Sequence, residues 1–256
     1  MKSEPELLFL HGDHPGDEWP DRPTTVCAAQ TLRTGGVSQP PYDSLNVGAH
    51  VGDDRAAVDA NRQLVSDCLS LPAEPRWLNQ VHGVEVAHCT TDGPVAATAD
   101  AAYTDQADVA LVILTADCLP VLVSSLDGCE IGAAHAGWRS LCGGVLENLI
   151  QSFRASPDQL TVWLGPAIGP DTFEVGPEVR TAFIREQAKS ADAFRRGHAD
   201  RWLADIYQLA RLRLSGAGVH RVHGGGECTV AQAERYFSYR RDGTTGRMAT
   251  LIWCQQ

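Results

Sequence analysis

Long basic runs, long apolar runs and paired cysteines are all missing from this chain of 256 residues, and each absence removes a class of function. A net charge of −11, with no basic stretch to offset it, argues against a general affinity for nucleic acid or an anionic membrane. No uncharged apolar stretch approaches the ~18 residues of a transmembrane helix. The first twenty residues carry acidic groups and one short apolar run, Leu7–Leu10, so no secretory leader is read there and a cytoplasmic location is expected. Eight cysteines occur without one C-x-x-C pair, which suits neither a disulfide scaffold nor a structural zinc finger, and most are expected to be reduced, buried thiols.

What is present is ordinary for an enzyme: 43% hydrophobic and 21% charged residues, enough for a substantial core. One domain over 1–256 is expected, with 1–22 as an irregular N-terminal segment. Strands are predicted over Thr24–Leu32, Trp77–His82, Leu111–Val123, Glu130–His135, Leu160–Leu164, Val219–His223 and Met248–Trp253. Asp53 and Asp54 cap a helix running to about Leu69, with Val58, Val65, Cys68 and Leu69 as its buried stripe. Asn61 and Arg62 fall in the same arc, so Arg62 either snorkels to a structural partner or reaches into a cleft. Further helices are predicted through Val145–Phe153, from Pro177 to about Ala188, over Leu203–Ser215 and over Thr229–Phe237. Periodicity supports a mixed α/β fold and no more. The glycine triplet after His223 reads as a bend that could also approach a phosphate.

Three residues stand out as ligands for one metal ion: His82, Cys118 and His135. Asp127-Gly128 between two strand-like runs is a hairpin signal. If the loop centres on Leu126-Asp127 or Asp127-Gly128, Cys118 lies opposite His135 or within about two residues of it. Past His135, the stretch Ala136–Gly144 cannot continue a strand and leads into a helix, which places His135 at a strand end. Nothing local ties His82 to that hairpin. For an anionic small molecule, Arg139, Arg240 and Arg241 are the cations to follow.

Several segments in order resemble one family, the YfiH-like proteins, long labelled polyphenol oxidases or laccases and associated with purine nucleoside metabolism. They are Thr31–Ser38, Tyr42–Asn46, His50–Asp54, Asn61-Arg62, Asn79–Gly83, Thr115–Cys118, Ala134–Arg139, Leu164–Gly169 and Phe237–Asp242. Each alone is common, whereas the ordered set is specific; Ser140 departs from the glycine usual after the Trp-Arg pair. The resemblance implies a four-layer α/β/β/α sandwich with mixed sheets and one Zn2+ held by His82, Cys118 and His135, with an open coordination position. It also implies phosphorolysis of adenosine, inosine, guanosine and methylthioadenosine to free base and sugar 1-phosphate, together with adenosine deaminase activity. Purine nucleoside and inorganic phosphate are then the partners, and the protein is expected to be a monomer or weak homo-oligomer. In that reading Arg62 and Arg139 clamp phosphate, while Asn46 and Gln80 orient the nucleoside.

Other chemistries are weighed on the same residues. None of the nine histidines forms an H-x-H pair, which makes a multicopper mechanism improbable, though copper at the same triad could give weak phenol oxidation. Cys118 with His135 as base would serve a cysteine hydrolase equally well. The family also suggests peptidoglycan-precursor editing in some bacteria, and a zinc-stabilised nucleoside-binding module is the non-catalytic alternative.

Overall fold

The apolar run Leu111–Val123, expected as one strand, is two strands that belong to different sheets. A computed structural model describes residues 5–9 and 19–255; the irregular segment expected over 1–22 lies largely outside them. The chain begins β1 (Leu7–Phe9), β2 (Val26–Thr31), α1 (Arg55–Leu69), β3 (Arg76–Asn79), β4 (Val86–His88), β5 (Ala96–Thr98) and β6 (Ala101–Thr104). It continues β7 (Leu111–Thr115), β8 (Leu119–Ser125), β9 (Ile131–Ala136), α2 (Trp138–Gly143), α3 (Val145–Gln151), β10 (Leu160–Leu164) and β11 (Glu174–Val175). It ends α4 (Pro177–Glu186), β12 (Phe194–Arg196), β13 (Trp202–Ala204), α5 (Ile206–Gly216), β14 (Arg221–Gly224), α6 (Tyr239–Asp242) and β15 (Met248–Cys254).

Two six-stranded sheets result, ordered β1-β2-β15-β7-β3-β5 and β14-β10-β8-β9-β6-β4. Both are mixed: β3 runs parallel to β5 and β7, β4 to β6 and β10 to β14, while the remaining pairs are antiparallel. A small sheet, β11-β13-β12, stands apart from them.

Alternation along each strand builds the layers. Leu111 and Ile113 of β7 meet Leu122, Ile131, Ala133 and Trp163 of the second sheet in the core between the sheets. Val112 and Leu114 point the other way, with Leu251 and Trp253, onto Val65 and Leu69 of α1. On the far side, Leu119, Val121 and Val123 of β8 pack on Leu146, Leu149, Val179, Phe183, Leu209 and Leu214 of α3 to α5. The order is therefore α/β/β/α, in four layers. Each Leu or Ile fully buried in these layers stabilises the fold by about 1.5–3 kcal/mol.

Asp54 caps α1 by accepting from the Ala56 N–H, as expected. The buried face is Val58, Asn61, Val65 and Leu69, and Cys68 is exposed. Asn61 earns its place inside through hydrogen bonds: its Oδ1 accepts from Val37 N, and its Nδ2 donates to Ser38 Oγ, Ser44 O and Asn46 O. One side chain thus holds the loop between β2 and α1.

Two helix expectations need correction. Leu203 belongs to β13, and α5 starts at Ile206 because Asp205 caps it through the Gln208 N–H. Thr229–Phe237 forms turns and not a helix. The Arg241 guanidinium holds these turns through the carbonyls of Thr229, Val230 and Tyr236, of which the first two would be needed within a regular helix. Among the described residues no helix is long and apolar enough to cross a membrane.

Candidate metal centre

Cys118 sits where the chain passes from one sheet to the other. β7 ends at Thr115, Asp117 turns the backbone with φ 93°, and β8 begins at Leu119 in the opposing sheet. The Asp117 carboxylate accepts from Thr229 Oγ1 and from the Arg240 N–H, both at 2.6 Å, which anchors the crossing against the C-terminal turns. Register does the rest: Leu119 pairs with Ala136 and Pro120 with His135, so Cys118 projects two positions from His135 at the open end of the hairpin. The loop is longer than the two residues expected, running Leu126–Cys129, because Ser125 and Glu130 still exchange a backbone hydrogen bond. Helix also begins earlier than expected after His135, at Trp138.

His82 reaches the hairpin through Asp100, a fully buried carboxylate. Its two oxygens accept from the backbone N–H groups of Val81, His82 and Gly83 at 3.1, 3.0 and 2.6 Å. His135 Nδ1 lies 2.8 Å from the same carboxylate. One side chain therefore folds the Val81–Gly83 loop and orients the His135 ring. The left-handed backbone of His82, φ 60°, costs about 1 kcal/mol or more and is held by those N–H contacts.

The ligand atoms of His82, Cys118 and His135 all lie within 4.8 Å of one another. Cys118 Sγ is 3.9 Å from His82 Nε2, and the two imidazole rings meet edge to face with centroids 4.8 Å apart. Burial alone would raise the Cys118 thiol, but the His135 charge and hydrogen bonds from both histidines bring it down to about 6. Burial would likewise lower His135, yet the Cys118 thiolate and Asp100 push it up to about 9. Each group thus favours the charged form of the other.

The donor set fits a small tetrahedral ion. Tetrahedral bonds of about 2.0–2.3 Å to nitrogen and sulfur place ligand atoms about 3.3–3.5 Å apart, so the 3.9 Å from Cys118 Sγ to His82 Nε2 closes by a few tenths of an ångström around such an ion. A carboxylate behind His135 fixes its tautomer and leaves Nε2 facing the cluster, the usual support for a metal-bound histidine. Gly137 supplies the space, since a Cβ there would stand 3.0 Å from Cys118 Sγ and 3.2 Å from His82 Cδ2.

Beside the triad lies a cavity of about 380 Å3, lined also by His50, Gln80, Thr115, Tyr239 and Arg247. A second, of about 290 Å3, shares Cys118 and Tyr239 with it and holds Trp138, Arg139, Phe173 and Arg240. Gln80 lines the first, and its amide is spent on both backbone groups of Leu114, extending the β3–β7 pairing by one step. Arg62 lines neither: its guanidinium stacks 3.9 Å from the Trp77 ring and its Nε donates to Val47 O. Arg139 lies on the Trp138 ring at 4.4 Å, and Arg240 donates to Glu174 O.

Asn46, expected to orient the nucleoside, lines neither cavity. It is fully buried, and its amide bonds Gly48, Asp53 and the Arg247 N–H. Arg241 is likewise consumed by backbone carbonyls and Asp242.

Sequence reasoning missed Asp100, Gly137, His50, Tyr239 and Arg247. One signal was there for Asp100: Thr98-Ala99-Asp100 repeats as Thr115-Ala116-Asp117 just before Cys118. Burial, then the charges of Arg247, Arg62 and His135, keep His50 below the usual imidazole range.

A four-layer mixed fold with two histidines and a cysteine gathered at the seam of its sheets defines a class of protein with a three-ligand metal-capable centre. The chain belongs to the YfiH family, whose model, described as multi-copper polyphenol oxidoreductase laccase, matches residues 27–255. It is 51% identical over 236 residues to purine nucleoside phosphorylase YfiH of Escherichia coli K12, covering 92% of this chain and 96% of that one. A purine nucleoside phosphorylase of Pseudomonas aeruginosa is 50% identical, with 93% and 97% covered. The crystal structure of Neisseria meningitidis protein NMB0706 superposes with a TM-score of 0.90 at 44% identity, over 98% of this chain and 99% of that one. YlmD of Geobacillus stearothermophilus gives 0.86 at 32%, over 95% and 98%. The family description speaks of several coppers, whereas the described residues bring one group of three ligands together.

Proposed function

We propose that the protein is a zinc-dependent purine nucleoside phosphorylase that also deaminates adenosine. The observation that carries this reading is the His82, Cys118 and His135 triangle opening on a cavity lined by His50 and Arg247. The names of the relatives from Escherichia coli and Pseudomonas aeruginosa support it. Adenosine, inosine, guanosine and methylthioadenosine are the proposed substrates. In phosphorolysis a phosphate oxygen bonds to C1′ as the C1′–N bond breaks, and the base leaves with that electron pair and takes a proton.

A thiolate with two imidazoles suits zinc, with copper as the alternative metal. When bound, zinc supplies Lewis acidity at its open position. The chain's own groups do the rest. Asp100 holds the His135 Nδ1 proton, and the triad runs from buried His135 through half-buried Cys118 to exposed His82, so it opens to the solvent side. Trp138, Phe173 and the flat guanidinium of Arg139 give the second cavity surfaces on which a purine can stack. Eight unpaired cysteines suit a reducing compartment, and a cytoplasmic setting is part of the proposal.

The test is elemental analysis of wild type and Cys118→Ala beside adenosine and inosine turnover with and without phosphate. About one zinc per chain is expected in wild type, lost in the variant together with phosphate-dependent release of base. Metal-free wild type without nucleoside turnover would refute the reading.

One observation favours a second reading. Cys118, His135 and Asp100 form the relay of a cysteine hydrolase when no metal intervenes. In metal-stripped protein, iodoacetamide should alkylate Cys118 with a rate that rises through about pH 6 and holds to about pH 9. The sign follows from a thiol that is already ionised above about 6, where an ordinary cysteine waits until about 8.5. Zinc should suppress the reaction; a hydrolase would keep it, and its activity, in the protein as purified.

A further inference from the structure

Arg62 and Arg139, the cations expected to hold the anion, do not line the cavity that carries all three triad residues, although Arg139 lines the one adjoining it at Cys118. Arg247 lines the first. Among the described residues its guanidinium has acceptors only at Nη1, the carbonyls of Thr245 and Gly246, so Nε and Nη2 remain to be used. Asn46 braces it from below by accepting its backbone N–H. No carboxylate side chain lines this cavity, and nearby Asp117, whose charge reaches Arg247, has its oxygens engaged by Thr229 Oγ1 and the Arg240 N–H.

Thr115 adds an independent sign. It is 2% exposed, it lines the same cavity, and its Oγ1 has no hydrogen-bond partner. A buried hydroxyl left unpaired costs about 1–3 kcal/mol, so such a group in a polar cavity points to something that fills the cavity and bonds it. His50 stands on the same cavity's wall with an imidazole N–H able to donate a hydrogen bond.

We infer that Thr115, His50 and Arg247 form the subsite for a tetrahedral oxyanion, inorganic phosphate, next to the metal triad. The identity of the anion rests on the phosphorylase reading; the subsite itself rests on the cavity. A hydroxyl, an imidazole and a guanidinium present donors from three side chains to an anion whose four oxygens all accept. The adjoining cavity then takes the base, and Cys118 and Tyr239 lie where the two meet. A phosphate attached to a nucleotide would offer the same chemistry, and the two sources are separable by experiment.

The test uses metal-loaded protein and two readouts, calorimetric binding of inorganic phosphate and the KM for phosphate with inosine. Thr115→Val removes only the orphaned hydroxyl, so it should melt no lower than wild type. It should weaken phosphate about tenfold, and Arg247→Gln about a hundredfold, with the inosine KM within about twofold. If Arg62→Gln or Arg139→Gln raises the phosphate KM while Thr115→Val and Arg247→Gln do not, the subsite is wrong and the phosphorylase reading stands. If inosine is cleaved without phosphate yet calorimetric binding falls in Thr115→Val and Arg247→Gln, the subsite stands and the phosphorylase reading falls. If both variants weaken inhibition by inosine 5′-monophosphate and leave inorganic phosphate untouched, the assignment to inorganic phosphate is overturned.

Discussion

Gly137→Ala should weaken metal binding in a protein that still folds. The backbone there, φ −58° and ψ 156°, is open to any residue, so alanine brings no conformational penalty. What it brings is a methyl carbon 3.0 Å from Cys118 Sγ, 3.2 Å from His82 Cδ2 and 3.6 Å from His135 Cε1. The first two contacts are tighter than nearly all that a Cβ makes, and all three involve ligand residues. To relieve them Cys118 or His82 must move by several tenths of an ångström, while zinc bonds hold within about 0.2 Å. Metal affinity should fall by at least about a hundredfold, more than loss of an outer partner causes. The melting temperature of the metal-free protein should stay within a few degrees of wild type. Competition with a chromophoric chelator reads the affinity, and a variant that still carried a full complement of metal would show that the ligands converge elsewhere.

Asp100→Asn should cost more stability than any surface change and weaken the metal as well. The carboxylate accepts from Val81 N, His82 N, Gly83 N and His135 Nδ1. An amide has one accepting oxygen, and its NH2 would face donors that have nowhere else to turn. Leaving buried donors unpaired in this way should cost roughly 3–5 kcal/mol, read as a shift in urea midpoint at constant slope. Metal affinity should drop by about a hundredfold, since one substitution releases the His82 loop and the His135 tautomer together. A variant with wild-type stability would mean that water replaces the carboxylate.

Cys118 and His135 were legible as neighbours because a hairpin is local, and a turn signal with two apolar runs is enough to bring its ends together. The break at Asp117 was not legible. Strands buried on both faces read as continuous apolar sequence, so Leu111–Val123 gives no hint that its halves face different partners. Arg62 was placed on the correct face of its helix, but nothing in the spacing could say that Trp77, from a strand, would cover it. Asn46 and Arg247 lie far apart in sequence, and their hydrogen bond depends on β15 closing between β2 and β7. Asp100 was hidden for a similar reason: its four donors come from a loop and a strand that only the folded sheets bring together.

The three ligands have separate origins in the architecture. His82 follows a strand of one sheet, His135 ends a strand of the other, and Cys118 stands on the link between them. Neither sheet, taken with its own helices, carries a complete set. The centre is therefore inherited only with the whole sandwich: a recombination that exchanged one half for an unrelated layer would leave a chain with the motifs in its sequence and no place where they converge.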